Sequence, residues 1–189
     1  MAKNTEKAVR SMLKGAGKIN VSKFDALVSA RIDELDLERR ALKKLGNAQL
    51  DGVNPIRIDG YEYGKNAPCY IGMGKNGEIR SSNYITNIFF FGKVQLFVYT
   101  YTLSLVGDYR EEVLSEIYYK DICGFVTENK YAEFKDIAGK KFELPDRNLS
   151  ILLKGEKLNY NLNCELTEIT EQNILDLKSI VQAKIYKSF

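Results

Sequence analysis

The chain has no histidine among its 189 residues. That removes Ser-His-Asp and Cys-His nucleophile systems, HExxH zinc sites and Cys2His2 fingers. Few other constellations remain. Ser11-Met12-Leu13-Lys14 has the SxxK spacing in which a lysine assists a serine, but the companion Ser-Asp-Asn and Lys-Thr-Gly elements are absent. Tyr61…Lys65 and Tyr131…Lys135 have the spacing of a Tyr-xxx-Lys acid/base pair, without the GxGxxG of the dinucleotide fold that uses it. Gly15-Ala16-Gly17-Lys18 ends like a phosphate loop, yet Ile19 stands where a hydroxyl would bind magnesium and no strand precedes it. Glu34 and Glu38 lie at i, i+4, and Asp33 and Asp36 are beside them. Arg31, Arg39, Arg40, Lys43 and Lys44 surround this group, and Asp36–Arg40 fits an ion pair, so it reads as a salt-bridged solvent face. Cys69, Cys123 and Cys164 form no CxxC and read as isolated thiols in a reducing compartment. The sequence thus predicts no catalytic residue, no metal and no cofactor.

Charge is the remaining signal. Residues 1–52 carry 11 basic and seven acidic side chains, whereas the rest of the chain is nearly balanced. That falls short of the basic stripe of a nucleic-acid binder. Lys7, Arg10 and Lys14 belong to a short basic helix with a small apolar face of Val9, Met12 and Leu13. Such a helix can lie on an anionic membrane, each Lys or Arg near the surface contributing about 1 kcal/mol. Lys75, Arg80 and Lys93 fall at strand turns and would add to an anion site if those turns converge. No apolar run reaches a membrane-spanning length, and the first residues lack the apolar stretch of a secretory signal. The expected location is cytoplasmic, with peripheral membrane contact as the alternative.

These residues are positioned by two kinds of element, divided near residue 52. Before it the apolar period is helical. A short helix over residues 4–14 is stopped by Gly15-Ala16-Gly17. A second is predicted over 22–45, with Ser22-Lys23-Phe24-Asp25 as a capping box and Gly46 as its left-handed stop. Val21, Val28, Leu35 and Leu42 repeat every seven residues, flanked by Phe24, Ile32 and Leu45. Charged Arg31 and Glu38 interrupt any regular coiled coil. At 1.5 Å per residue such a helix is about 36 Å long. A small barrel cannot cover that stripe, so residues 20–46 are expected to meet a protein partner or a second copy through Val28, Leu35, Leu42 and Leu45. The counter-reading folds the helix back over residues near Phe89–Phe91.

After residue 53 the period is two. Ile56–Ile58 and Tyr61–Tyr63 flank Asp59-Gly60, and Cys69–Met73 and Glu78–Arg80 flank a Gly74–Gly77 turn. Tyr84–Phe91 and Val94–Val106 follow, then Val113–Tyr118, Ile122–Glu128, Tyr131–Phe134, Lys141–Leu144, Leu149–Leu153 and Leu158–Leu166. Such spacing predicts an antiparallel sandwich or barrel. Thr170 is placed to cap a final helix whose stripe is Ile174, Leu177, Val181 and Ile185, widened by Ile180.

The run Lys93–Asn129, in which Glu116-Ile117-Tyr118-Tyr119-Lys120-Asp121-Ile122 precedes a strand, resembles the middle of a bacterial pleckstrin-homology-like (PH-like) domain. Lys140–Leu144, Leu149–Leu153 and the last helix extend the resemblance over about residues 67–186. It implies an α+β, mainly β fold, an antiparallel split barrel closed by a C-terminal amphipathic helix, here preceded by a two-helix N-terminal arm. The domains are then 1–52, the arm, and 53–189, the barrel with its helix. The implied role is non-enzymatic: binding or assembly of protein partners, or, as the alternative, docking on anionic lipid head groups through the first helix and the barrel turns.

Overall fold

The computed structural model describes residues 2–14, 18–63, 67–75, 77–161 and 168–187. Helices α1 (Ala2–Lys14), α2 (Val21–Asp33) and α3 (Leu37–Leu45) precede the strands. The strands are β1 (Ile56–Glu62), β2 (Ile71–Met73), β3 (Ile79–Ser81), β4 (Asn83–Phe91), β5 (Gln95–Ser104), β6 (Arg110–Tyr118), β7 (Ile122–Lys135), β8 (Lys141–Leu153) and β9 (Glu156–Asn161). Helix α4 (Glu168–Lys187) follows, and a 3-10 turn, Tyr119–Asp121, joins β6 to β7. Strands predominate and every strand pairing is antiparallel.

The strands form two main sheets, β1-β4-β5-β6 and β7-β8-β9, with β2–β3 as a separate hairpin. No ladder closes a barrel among the described residues, which corrects the closed form of the expectation. The two sheets and α4 share one core. Phe89, Phe91, Leu96 and Val98 face Leu149, Ile151 and Tyr160, and Ile174, Leu177 and Val181 of α4 seal the open side. The predicted α4 stripe is therefore the buried one, although the helix starts at Glu168 and Thr170 lies inside it.

The opposite face of the four-stranded sheet is equally apolar. Ile88, Phe90, Phe97, Tyr99, Tyr101 and Leu103 pack under Val9, Leu13, Phe24, Val28, Ile32, Leu37 and Ala41. β4 and β5 are consequently buried on both faces, the pattern of a strand between two layers. The N-terminal segment is not an arm: it is three helices lying on the sheet. The expected single helix over 22–45 breaks at Asp36, which takes a left-handed conformation (φ 46°). Aspartate tolerates that region better than most residues. The break turns Leu37 and Ala41 inward and leaves Leu42 exposed, so the heptad stripe ends there. Asn20, not Ser22, caps α2: its Oδ1 accepts from the Lys23 N–H at 3.1 Å.

Three further boundaries differ from expectation. Asp59-Gly60 is no turn but the middle of β1. The Ile122–Glu128 and Tyr131–Phe134 runs merge into 14-residue β7, and the Lys141–Leu144 and Leu149–Leu153 runs into 13-residue β8, which carries Pro145 within it. β9 ends at Asn161; the remainder of the Leu158–Leu166 run, with Cys164, lies outside the described residues, as do Gly15-Ala16-Gly17, Lys65 and Asn76.

Leu177 is fully buried and Leu175 on the same helix is 59% exposed. Leu177→Ala should therefore cost about 2–5 kcal/mol in urea unfolding, and Leu175→Ala less than about 0.5 kcal/mol. Equal effects would mean that α4 does not fill the core.

Candidate functional site

Glycines let the helices approach the β2–β3 hairpin. A Cβ on Gly72 would stand 2.8 Å from Leu13 Cδ2, and one on Gly74 would overlap Val21 Cγ2. Between these contacts Ile19 pairs in parallel with Gly74, its N–H donating to the Met73 carbonyl at 3.0 Å. The end of α1 and residues 18–21 are thereby fixed beside the hairpin. On its other side lies the β7–β8 turn. Gly139 (φ 85°) closes it, Asp136 accepts from the N–H groups of Lys140 (2.8 Å) and Gly139 (2.9 Å), and the Ile137 N–H donates to the Cys69 carbonyl at 2.8 Å.

Two open clefts flank the hairpin and share Met73 and Lys140. One, of about 760 Å³, lies between the hairpin and β8, floored by Tyr61 and Tyr63 and walled by Tyr131, Lys141, Phe142 and Arg147. The other, of about 740 Å³, is lined by Lys14, Lys18, Tyr70, Asp136 and Ile137. Lys14 Nζ lies 4.9 Å from the Tyr70 ring centre and Lys140 Nζ lies 4.8 Å from that of Phe142, cation–π distances that hold both ammonium groups at the cleft walls. Lys18 Nζ donates to the Lys75 carbonyl at 3.1 Å, in a smaller hollow both residues line. Lys141 pairs with Glu133 at 2.9 Å. Three chain segments, residues 14–18, 73–75 and 137–141, thus bring lysines to one end of the molecule. Met73 and Ile137 stand exposed among them (41% and 54%).

The six candidate cations fare differently. Lys14 and Lys75 reach this end. Lys7 is exposed farther up α1. Arg10 bonds Glu6 at 2.9 Å and the Val106 carbonyl at 2.7 Å. Lys93 sits at the β4–β5 turn, the other end of the sheet, where its N–H donates to the Gln49 carbonyl. Arg80 is 4% exposed and held by Asp25, Nε to Oδ1 at 2.7 Å and Nη2 to Oδ2 at 2.8 Å. Its burial takes it out of the set of surface cations. Of the four partner candidates, Val28 is in the core, Leu35 and Leu45 pack against it and Leu42 is exposed. Lys18 was weighed only as the end of a phosphate-loop-like run, and Lys140, Lys141 and Tyr70 were not named as site residues from the sequence. The signal that could have found three of them is an apolar residue at a glycine turn before paired lysines, Ile137-Ala138-Gly139-Lys140-Lys141, facing a Tyr70 beside the hairpin glycines.

Polar clasps hold the helical layer in place. Tyr61 donates to Asp25 at 2.8 Å, and the Arg80 guanidinium lies 5.3 Å from the Tyr61 ring centre. Burial first, then the Asp25 charge, raises the Tyr61 phenol, so it stays a donor. At the other end Glu112 accepts from Tyr99 and meets Lys44 at 3.2 Å and Arg40 at 3.6 Å. Lys184 of α4 pairs with Asp51. Burial pushes the Cys69 thiol up to about 11, which keeps it inert. Among the described residues, no group of three or more Cys, Asp or Glu side chains is placed to hold a metal ion, and no helix is long and apolar enough to cross a membrane.

The Glu112 clasp predicts an acid dependence. Burial pushes its carboxyl up, but the Tyr99 hydrogen bond and the Lys44 and Arg40 charges outweigh that, and the net direction is down. The unfolded chain then binds the proton more tightly than the folded one. Glu112's contribution is whole above the ordinary carboxylate range and is lost as pH falls through the lower folded value. Denaturant unfolding at neutral and acid pH should show this loss, and Glu112→Gln should flatten it; an unchanged profile would mean the clasp carries no stability. No family model, curated protein or solved structure matches the chain, so the chemistry of this end rests on its own geometry.

Proposed function

We propose that this chain is a non-enzymatic docking module, built on a PH-like split barrel, that binds anionic lipid head groups at the lysine-rich end. The four-stranded and three-stranded antiparallel sheets with a C-terminal helix in their open side support the PH-like reading. The observation that carries the function is the convergence of Lys14, Lys18, Lys75 and Lys140 around the 740 Å³ cleft and the smaller hollow beside it. Met73 and Ile137 favour a lipid surface over a soluble anion. They are exposed apolar side chains among ammonium groups, suited to the boundary between head groups and acyl chains. The protein-partner reading through residues 20–46 is the less favoured one, because Val28 serves the chain's own core.

Vesicle co-sedimentation tests the proposal. Binding should appear with phosphatidylglycerol-containing vesicles, fall steeply with salt and be absent on phosphatidylcholine alone. Lys18→Ala and Lys140→Ala should each weaken it about fivefold, and Ile137→Glu should weaken it at all salt concentrations. Lys93→Ala, at the far end, should leave it unchanged. Failure to bind at low salt, or equal loss on changing Lys93, would overturn the reading.

A further inference from the structure

Among the described residues β7 is a terminal strand of its sheet and runs for 14 residues, far longer than the edge strands most proteins leave open. Which of its backbone groups face outward follows from the ladder with β8. The Asp136 N–H donates to the Lys140 carbonyl at 2.9 Å, and hydrogen-bonded and non-bonded pairs alternate along an antiparallel ladder. Counting back from that bond, Phe134↔Phe142 and Ala132↔Leu144 are bonded pairs and Tyr131↔Pro145 is not. The proline, which has no N–H to give, agrees with this phase. The N–H and C=O groups of Asn129, Tyr131 and Glu133 therefore point away from β8. Residues 129–131 are exposed, Tyr131 to 70%.

We propose that this edge is a self-association surface, on which two copies of the chain pair β7 against β7, antiparallel and centred on Asn129. Outward-facing residues must oppose outward-facing residues, so a two-fold pairing has only a few registers, and charge separates them. Centring on Glu128, Lys130, Glu133 or Lys135 places each opposite itself, and centring on Phe134 pairs Glu133 with Lys135 but overlaps only residues 133–135 of the strand. Centring on Ala132 sets Glu128 against Asp136, and centring on Tyr131 makes no charge pair. Centring on Asn129 sets Glu128 opposite Lys130 of the partner subunit, twice by symmetry, and Val126 opposite the partner's Ala132. These are non-hydrogen-bonded positions, where side chains approach most closely. Charges on an edge strand ordinarily guard it against pairing. Here their alternation, Glu128, Lys130, Glu133, Lys135, turns the one register that overlaps β7 along most of its length into an attraction. A closed two-fold pairing consumes the edge and leaves no template for a third copy. The surface meets the clefts only at Tyr131, which walls the larger one; Glu128 and Lys130 line neither cleft, so their variants separate this reading from the lipid one.

Sedimentation equilibrium of the full chain at micromolar concentration tests it, beside thermal melting to confirm folding. The expected result is a dimer. Glu128→Lys and Lys130→Glu should each weaken it about tenfold or more by replacing two attractions with two repulsions. Glu128→Lys/Lys130→Glu together should restore it. Tyr131→Pro removes an outward N–H without touching the β8 ladder and should give a monomer with little change in melting. Should Glu128→Lys unfold through loss of its 2.8 Å contact with Lys157, or Lys130→Glu through its place 4.0 Å from buried Asp146, Tyr131→Pro carries the decision. A wild-type monomer, or a dimer indifferent to Tyr131→Pro and Lys130→Glu, overturns the proposal.

Discussion

The structure depends on one constraint: the central strands β4 and β5 are apolar on both faces. Phe89, Phe91, Leu96 and Val98 look one way, and Ile88, Phe90, Phe97, Tyr99 and Tyr101 look the other. One face is satisfied by the second sheet and α4. The other would leave a sheet of aromatic rings in water unless another layer covered it. The three N-terminal helices are that layer, and their apolar residues are consumed in covering it. Aromatic geometry contributes there: Phe24 packs 6.0 Å from Tyr61, which meets Tyr84 edge-on at 5.2 Å.

Covering an aromatic sheet with charged helices requires that the buried polar atoms find partners. Arg80 lies under α2 and would be costly alone; the bidentate Asp25 meets it in the geometry where arginine bonds are strongest. The Tyr99 and Tyr101 rings at the far end are met by Glu112 and by Arg40, 5.1 Å from the Tyr101 ring centre. The acids and bases of α2 and α3 are largely spent on such contacts or on short-range pairs such as Arg31–Glu34 and Arg39–Asp36. The lysines of residues 14–18 and 137–141 lie beyond the edge of this cover, and that position, rather than net charge, concentrates cationic groups there.

Sequence reading succeeded where period and burial coincide. The α4 stripe was legible because it buries the face its period marks, and the β2–β3 hairpin because a Gly74–Gly77 turn separates its two short runs. It failed where a residue's role is set across the chain. Val28 and Leu35 read as an interaction stripe because nothing local says that Phe90 and Phe97 lie beneath them. Asp25 read as part of a cap because Arg80, 55 residues away, is invisible to local pattern. Arg80 read as a surface cation for the same reason. Asp59-Gly60 read as a turn because turn residues inside a strand are tolerated only where position in the sheet allows it, β1 being an edge. The lysine-rich end was half legible: Lys14 and Lys75 were named, and their neighbours from the β7–β8 turn arrive only through tertiary packing.

The β7–β8 hairpin shows how one element serves both cores. Its proximal half turns Phe125, Leu149 and Ile151 toward the core shared with α4, whereas its distal half turns Ala132, Phe134, Phe142 and Leu144 toward the cluster under the helices. Residues 149 and 151 lie on the opposite face of β8 from residues 142 and 144, so the buried face changes along one continuous strand. Period-two reading assumes a single inward face and therefore cut this hairpin into two. The physical gain is positional. Reaching past the first core, the hairpin delivers its Gly139 turn to Cys69 and the β2–β3 hairpin, with Phe134 packed 5.5 Å from Tyr63. Lys140 and Lys141 reach the clefts only because of that span. The same span leaves the middle of β7 beyond both cores, where its exposed backbone edge and alternating charges begin.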